Sequence, residues 1–536
     1  MAHTQLDTIR QATRDYLVSI KGTTPAPADV EEGILALTKN YFDLYNAAAE
    51  KGARWRIPTK LMPVQIAEII ESLYQVALIE LVDKGGSELR TQSAVLGIYQ
   101  ESGEYEGLYD CTEATFEKLA GRYCYGMSAK DRIEMIKHLR LIAPHVKLCR
   151  KPNLIAVNNG IFDYNTKVLM PFTPDFVFIT KSRVDYNPNA RNVVIHNPVD
   201  NTDWDVENWV CSLSDDPEIV NTLWEVMGAI IRPNVRWNKS AWFYAESGNN
   251  GKGTFCELMR NLCGEGTYVS LPLADMSKDF LLEPLINASA IIVDENDVGT
   301  YIDKAANLKA IITNDVIQIN RKFKTPITYQ FHGFMVQCLN ELPRVKDKSD
   351  SFFRRQLFIP FTKCFTGAER RYIKDDYLSR KEVLEYVLYK VLNMNYYELS
   401  VPEACKDALQ EYKEFNDPVR QFMAEIMPQL QWDFVPFTFL RDLYTAWYKK
   451  NVGDKDCSKS MKTLVKDILN ILPEYPDWKC DDKDKSIRPG NKMDKPEWMI
   501  DEYKLEDWYS QTYKGNDRDK KCRPSLKAYY RGIHRV

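Results

Sequence analysis

The chain has 536 residues, 44% hydrophobic and 27% charged, with 71 Lys and Arg against 75 Asp and Glu for a net charge of −4. That length exceeds what one ordinary core organises, so three or four domains are expected, and the composition excludes a disordered or collagen-like chain. An overall positive field is excluded as well, so any nucleic-acid binding has to come from local basic surfaces.

The 12 cysteines form no CxxC pair and no Cys/His cluster with zinc-ligand spacing, which argues against a structural zinc. No apolar run approaches the roughly 18 residues a membrane span needs, and nothing at the N-terminus resembles a signal peptide. The expectation is a cytoplasmic protein with reduced thiols and no membrane partner.

In chain order, residues 1–95 read as a helical N-terminal part. The stretches ILALTKNYFDLYNAAAE and VQIAEIIESLYQVALIELV both place apolar residues at i, i+3, i+4 and i+7. Residues 96–210 change to short strands broken by Asn-Gly and Asn-Thr steps, as in LIAVNNGIFDYNTKVLMPF, and read as a small α+β segment. Residues 211–365 open on a helix, DPEIVNTLWEVMGAIIRP, and then alternate apolar strands with helices in the manner of a nucleotide-binding α/β layer. A helical lid or connector over 366–410 and a C-terminal part over 411–536, helical with a few strands, complete the chain.

The first chemical signal is AESGNNGKGT, residues 245–254, lying between a strand-type run SAWFYA and a helical TFCELMRNLC. It differs twice from the phosphate loop GxxxxGK[ST], with Glu246 in place of the first Gly and Gly253 in place of the hydroxyl. In the strand–loop–helix setting, the backbone amides of Gly248, Asn249, Asn250, Gly251, Lys252 and Gly253 would face a β-phosphate, and Lys252 would bridge the β- and γ-phosphates. Gly248 and Gly251 suit positions needing positive φ and close backbone approach. Thr254 is the nearest hydroxyl able to hold Mg²⁺, directly or through a water, and Glu246 is tolerable beside phosphates only if it points outward.

The second signal is ASAIIVDENDVG. Its apolar strand ends in Asp294 and Glu295, 42 and 43 positions after Lys252. An Asp and a Glu at the C-terminal edge of a buried parallel strand suit Mg²⁺ chemistry, with Asp294 as metal ligand and Glu295 as the group that orients and deprotonates the attacking water. Next, VIQI and TPITYQF read as strands around a tip NRKFK, a β-hairpin carrying Arg321, Lys322 and Lys324 beside Phe323.

A third strand, FMVQCLNELP, brings Asn340 to its end. In P-loop ATPases of the AAA+ type a polar residue there reaches between the carboxylates and the γ-phosphate and positions the water. Finally, SDSFFRRQLFIPF sets Arg354 and Arg355 before a last strand, where adjacent arginines could act on a neighbouring subunit's phosphates. Each feature alone has a plainer reading: an Asn/Gly turn capping a helix, a solvated acidic turn, a solvated basic turn, an Asn capping a loop, a surface arginine pair.

Taken in order, the parts resemble a superfamily-3 helicase of the phage and plasmid primase-helicase type, which also includes the poxvirus primase-helicases. The resemblance rests on Gly248, Asn250, Gly251, Lys252, Thr254, Asp294, Glu295, Asn340 with NELP, and FFRRQLFIPF, and extends upstream through LIAVNNGIFDYNTKVLMPFTPDFVFITKSRVDYNPNA, covering roughly residues 100–365. It implies an α/β fold with an AAA+ type P-loop ATPase core, ATP and Mg²⁺ as cofactors, and a homo-hexameric ring. It also implies a hairpin that grips single-stranded or forked DNA through Arg321, Lys322 and Lys324, with charge and stacking supplying a sequence-independent hold.

The tail from Lys514 to Arg535, with eight Lys and Arg against two Asp, suits either a winged-helix-like DNA-binding domain or a solvated charged end. The function so implied is an ATP-dependent DNA helicase in replication of a phage or mobile element, acting in the host cytoplasm with other replication proteins as further partners. A bifunctional primase-helicase and a non-unwinding initiator or loader are the alternatives. A nucleoside-monophosphate kinase is disfavoured because the chain offers no arginine-rich lid, and primer synthesis because residues 1–95 offer no strand-borne Asp-x-Asp pair.

Overall fold

The computed structural model describes residues 4–23, 25–82, 93–322, 324–368, 370–451 and 459–536. It is a mixed α/β structure that divides into two compact units: Met1–Pro343 with Arg354–Cys405, and Arg344–Phe353 with Lys406–Val536.

The N-terminal residues are helical only in part. Helices Gln5–Ser19, Pro27–Ala48 and Pro63–Leu73 form as the 3.6-residue spacing requires, the last two with proline at the first helical position. The expected continuation through VALIE is overturned: Val76–Glu80 is a strand of a four-stranded sheet. It pairs antiparallel with Val95–Tyr99 and parallel with His145–Lys147.

Val76 to Ile79 are buried, and a short run buried on both faces carries no alternation, so periodicity cannot separate it from a buried helical turn. The boundary at residue 95 therefore cuts a sheet. One core joins Leu17, Val30 and Ile66 to Phe116, Leu119 and Met135, so residues 1–95 are not a body of their own. Glu68 is bound by Arg10 at 2.9 Å and Arg14 at 2.7 Å, which fixes the first helix against the third.

Downstream, Leu154–Val157, Gly160–Asp163 and Val168–Met170 make an antiparallel meander whose first turn is the Asn-Gly step read from sequence. The helix Pro217–Ile231 follows, capped by Asp216 and ending at Arg232. The Arg232 guanidinium is fully buried, 3.5 Å from the Tyr164 ring and 4.7 Å from that of Tyr397, and donates to the Tyr396 carbonyl at 2.8 Å. A caged cation of this kind has no pattern in sequence.

The central layer is a five-stranded sheet in the order Tyr268–Val269, Ala290–Val293, Phe334–Leu339, Ser240–Tyr244, Gln356–Pro360, with every pairing parallel. Residues Ala290 to Val293 and Phe334 to Leu339 are buried throughout, as expected for strands covered on both faces. Parallel strands end on one edge, and in open α/β sheets ligands bind at that carboxyl edge. The loop, Asp294 and Asn340 all emerge there.

The second unit places the helix Pro418–Ile426, the strand Phe434–Pro436, the helices Phe437–Asn451 and Met461–Ile471, and the strands Trp478–Lys479 and Gly532–Arg535 around a core rich in Trp, Phe and Tyr. Its sheet runs Phe434–Pro436, Gly532–Arg535, Trp478–Lys479. The unit begins at residue 406, near the boundary expected at 411, and also takes residues 344–353.

Candidate nucleotide site

Lys252 opens the helix Lys252–Cys263 and is 5% exposed. Its Nζ donates to Asn340 Oδ1 at 2.9 Å and to the Ala245 carbonyl at 3.4 Å, so the lysine and the residue expected to sense a γ-phosphate are in direct contact. The sheet order explains this: the strand carrying Asn340 lies between the loop strand and the acidic strand. Burial pushes the Lys252 pKa down, while Asp294 is among the neighbours pulling it back up.

The loop departs from expectation at one glycine. The positive φ values fall at Asn249 (53°) and Gly251 (87°) and not at Gly248. Asn tolerates the left-handed region, which frees Gly248 from that duty. Gly251 is the left-handed N-cap, and a Cβ there would come within 2.7 Å of Leu213 Cδ2. The buried Asn250 braces the turn: its amide donates to the Ser247 carbonyl and its Oδ1 accepts from the Lys252 amide at 3.3 Å. Glu246 is exposed and accepts from the Tyr244 hydroxyl at 3.2 Å, so it points outward, the one orientation a phosphate site tolerates.

Gly253 has a physical reason. A Cβ at this position would lie 2.9 Å from Asp294 Oδ1, so the acidic strand end packs directly on the loop helix. The other carboxylate oxygen, Oδ2, is 3.3 Å from Arg260, about two turns further along the same helix face. Asp294 thus presents one oxygen to the loop and has the other held. Glu295 is exposed, while the next residue, Asn296, is buried and donates to Gln337 Oε1 and to the Cys338 carbonyl, each at 3.0 Å. Arg260, Asn296 and Gln337 orient the acidic turn and were not singled out from sequence, because their partners lie 34 to 42 positions away.

The hard oxygens expected to take Mg²⁺ are those of Asp294, whose Oδ1 faces the loop at Gly253, and of the half-buried Thr254 one position further on. Cys256 and Cys338 lie beneath, with ligand atoms within 4.8 Å of Asp294 and of each other. Burial raises the Cys338 pKa well above its ordinary value, so its sulfur stays a protonated core thiol and no ligand for a hard cation.

Beside the loop a cleft of about 1280 Å³ is lined by Trp209, Asn249, Gly251, Thr254, Phe365 and Tyr372. The segment after the last sheet strand closes one wall, with the Phe365 amide donating to the Asn249 carbonyl at 2.7 Å. Tyr372 donates to Asp200 at 2.7 Å at the outer end.

Arg354 and Arg355 do not join the site within one chain. They precede Gln356–Pro360, which runs parallel to the loop strand with Ser240 opposite Gln356, so they occupy the opposite edge of the sheet. Five residues of strand separate them from the loop edge by about 17 Å.

The hairpin pairs Val316–Arg321 with Lys324–Gln330, Arg321 opposite Lys324. Ile317, Ile319, Ile327 and Tyr329 are buried, whereas Lys322 at the tip is exposed. Arg321 turns back to donate to the Thr325 carbonyl at 2.9 Å. Phe323 and the Lys324 side chain lie outside the described residues.

Residues 49–223 match a family described as D5 N terminal like, and residues 243–355 match a family of unknown function, DUF5906. The second segment encloses every one of the candidate catalytic and hairpin residues. No curated protein matches the chain. Similar solved structures include the A form apo structure of NrS-1 C terminal region-CTR, 13% identical with a TM-score of 0.42, covering 88% of this chain and 100% of that one. Another is the A form apo structure of NrS-1 C terminal region-CTR(305-718), 14% identical with a TM-score of 0.42, covering 89% and 100%. Among the described residues no helix is long and apolar enough to cross a membrane.

Proposed function

We propose that the chain is an ATP-dependent DNA helicase of the superfamily-3, AAA+ kind, working as a ring in replication of a phage or mobile element. The observation that carries this reading is the convergence at one sheet edge of Lys252, Asn340 2.9 Å away, and Asp294 against Gly253. A triphosphate on the loop amides would meet Lys252 at its β- and γ-phosphates, and Mg²⁺ held by Asp294 and Thr254 would neutralise the charge developing there. Glu295, exposed beside Asp294, is the group proposed to take the proton from the attacking water. Asn340 would orient that water when the arrival of phosphate draws Lys252 away from it.

The D5 N terminal like match over residues 49–223 supports a replication setting. The position of Arg354 and Arg355 on the far sheet edge supports a composite site, in which a neighbouring subunit supplies the arginine; a hexamer is the assembly proposed. The exposed tip of the basic hairpin, with Arg321 and Lys324 paired across it, supports its assignment to a DNA strand.

The test is ATP hydrolysis with and without single-stranded DNA. The parent is expected to be stimulated by DNA, and Glu295→Gln to bind ATP without turning it over. A Glu295→Gln variant that hydrolyses at the parental rate removes the mechanism. Strand displacement on a forked duplex separates a helicase from a non-unwinding loader.

A further inference from the structure

We propose that Asn416 is a positioning residue for ATP hydrolysis: it fixes residues 344–353 so that Arg354 is held ready for the phosphates of a neighbouring subunit. The inference rests on the composite-site reading and adds to it the group that sets the arginine.

Residues 344–353 lie between the strand Phe334–Leu339 and the strand Gln356–Pro360, yet they belong to the second unit, while the residues on either side belong to the first. Phe353 is the last residue of that segment and Arg354 the first beyond it. Of the two arginines, Arg354 is exposed, whereas Arg355 is half-buried with its Nε out of solvent, so Arg354 is the one able to reach beyond its own chain.

The backbone that carries the arginines is anchored on its downstream side by the sheet. The Arg354 carbonyl accepts from Lys239 Nζ at 3.1 Å and the Arg355 carbonyl from the Ser240 amide at 2.8 Å. These bonds fix where the chain goes after Arg354 and leave its approach to be fixed from the other side.

That second anchor is Asn416, the last residue of the helix Glu403–Asn416 and 6% exposed. Its Oδ1 accepts from the buried Val345 amide at 2.7 Å, and its Nδ2 donates to the Tyr412 carbonyl one turn back at 3.2 Å, which locks the side chain. Tyr412 in turn meets the buried Phe353 ring edge-on, with centroids 5.7 Å apart. One helix end therefore grips the segment near its start and, through Tyr412, at the residue before Arg354. The grip has a firm footing, because the next helix, Pro418–Ile426, is capped by Asp417 and buries Val419, Phe422, Met423 and Ile426 in the aromatic core.

A buried amide that loses its acceptor must move to find water, so removing the Asn416 oxygen releases the start of the segment. An arginine that acts on a transition state contributes only if its charge is in place beforehand, so the release is felt in turnover and not in nucleotide binding.

The experiment uses the full chain and steady-state ATP hydrolysis. Asn416→Ala is expected to lower kcat about tenfold with KM for ATP within about twofold of the parent. Phe353→Leu, which keeps apolar bulk and loses the ring contact, is expected to lower kcat about threefold and carries the test should Asn416→Ala not fold. The deciding measurement mixes subunits. In rings assembled from equal amounts of Asn416→Ala and Lys252→Ala, an intact loop meets an intact arginine at about one interface in four, so turnover per chain is expected at about three times that of Asn416→Ala alone. A defect confined to its own chain would instead bring it to about half. The same mixture with Arg354→Ala in place of Asn416→Ala is the control for the composite site and is expected to rise as well. Parental kcat in both Asn416→Ala and Phe353→Leu overturns the proposal. A rise with Arg354→Ala and none with Asn416→Ala overturns it while the composite site stands; no rise in either mixture overturns the composite site and this proposal with it.

Discussion

Lys252 and Lys322 carry the same ammonium in opposite settings. Lys252 is buried at a helix N-terminus and held by a side-chain oxygen and a carbonyl, whereas Lys322 is exposed at the tip of a hairpin. The difference follows from the work proposed for each. Stabilising a phosphoryl-transfer transition state requires a charge fixed in place before the reaction begins, while holding a sequence-independent phosphate chain requires only that charge be near. Substitutions in the first region should therefore cost far more than those in the second.

The largest effect is expected for Lys252→Ala, a fall in the ATP turnover rate of about 10²- to 10³-fold with the fold intact. A loss of only a fewfold in steady-state kinetics would erase the contrast between the regions. Asn340→Ala comes next, with kcat down roughly 10- to 100-fold and ATP affinity nearly unchanged, since the role proposed for Asn340 is to orient the reacting water and that proposed for the loop amides is to bind the nucleotide. A proportional rise in the dissociation constant for ATP would assign Asn340 to binding instead.

The foundation of the hairpin can be tested through pH. His332, two residues after the strand Lys324–Gln330, is 8% exposed; burial first, then Arg150 and Arg236, lowers its pKa from 6.5 to about 2. Because the folded value lies below the unfolded one, its stabilisation is complete above about pH 6.5 and is lost as pH falls towards 2. At pH 5 the loss is about 2 kcal/mol. Thermal melts at pH 7 and pH 5 should show a smaller acid shift for His332→Asn than for the parent, and equal shifts would remove His332 as the cause.

Smaller changes refine the comparison. Gly253→Ala must displace the Asp294 carboxylate, whose Oδ1 would lie 2.9 Å from the new Cβ. The Mg²⁺ concentration for half-maximal activity should rise several-fold, and an unchanged Mg²⁺ dependence would separate Asp294 from the metal. Lys322→Ala should leave basal hydrolysis alone and reduce stimulation by single-stranded DNA about two- to threefold, because one exposed charge among several contributes little. Unaltered stimulation would take the hairpin tip out of the DNA path.

Much of the site was legible in the linear order of residues. A glycine-rich turn between strand and helix, a strand ending in Asp-Glu and a strand ending in Asn are local patterns, and the hairpin follows from alternation between Val316 and Gln330. Misreadings arose where a pattern is degenerate. VALIE has the apolar content of a helix face and is buried on both sides of a sheet. Gly248 looked like the left-handed residue of the loop, yet Asn249 takes that conformation, since either residue type can and only the traced backbone decides.

What the residues by themselves determined is which groups stand at strand ends and helix starts, because hydrogen bonding and side-chain periodicity act over a few positions. Only the tertiary structure decided which ends meet: the strand order that brings Asn340 to Lys252, the contact of Asp294 with Gly253, the bracing by Arg260 and Asn296, and the placement of Arg354 and Arg355 on the far edge. Those outcomes depend on how five strands, four of them largely buried, sort themselves into one sheet. That sorting is driven by apolar burial, which is nearly indifferent to order along the chain.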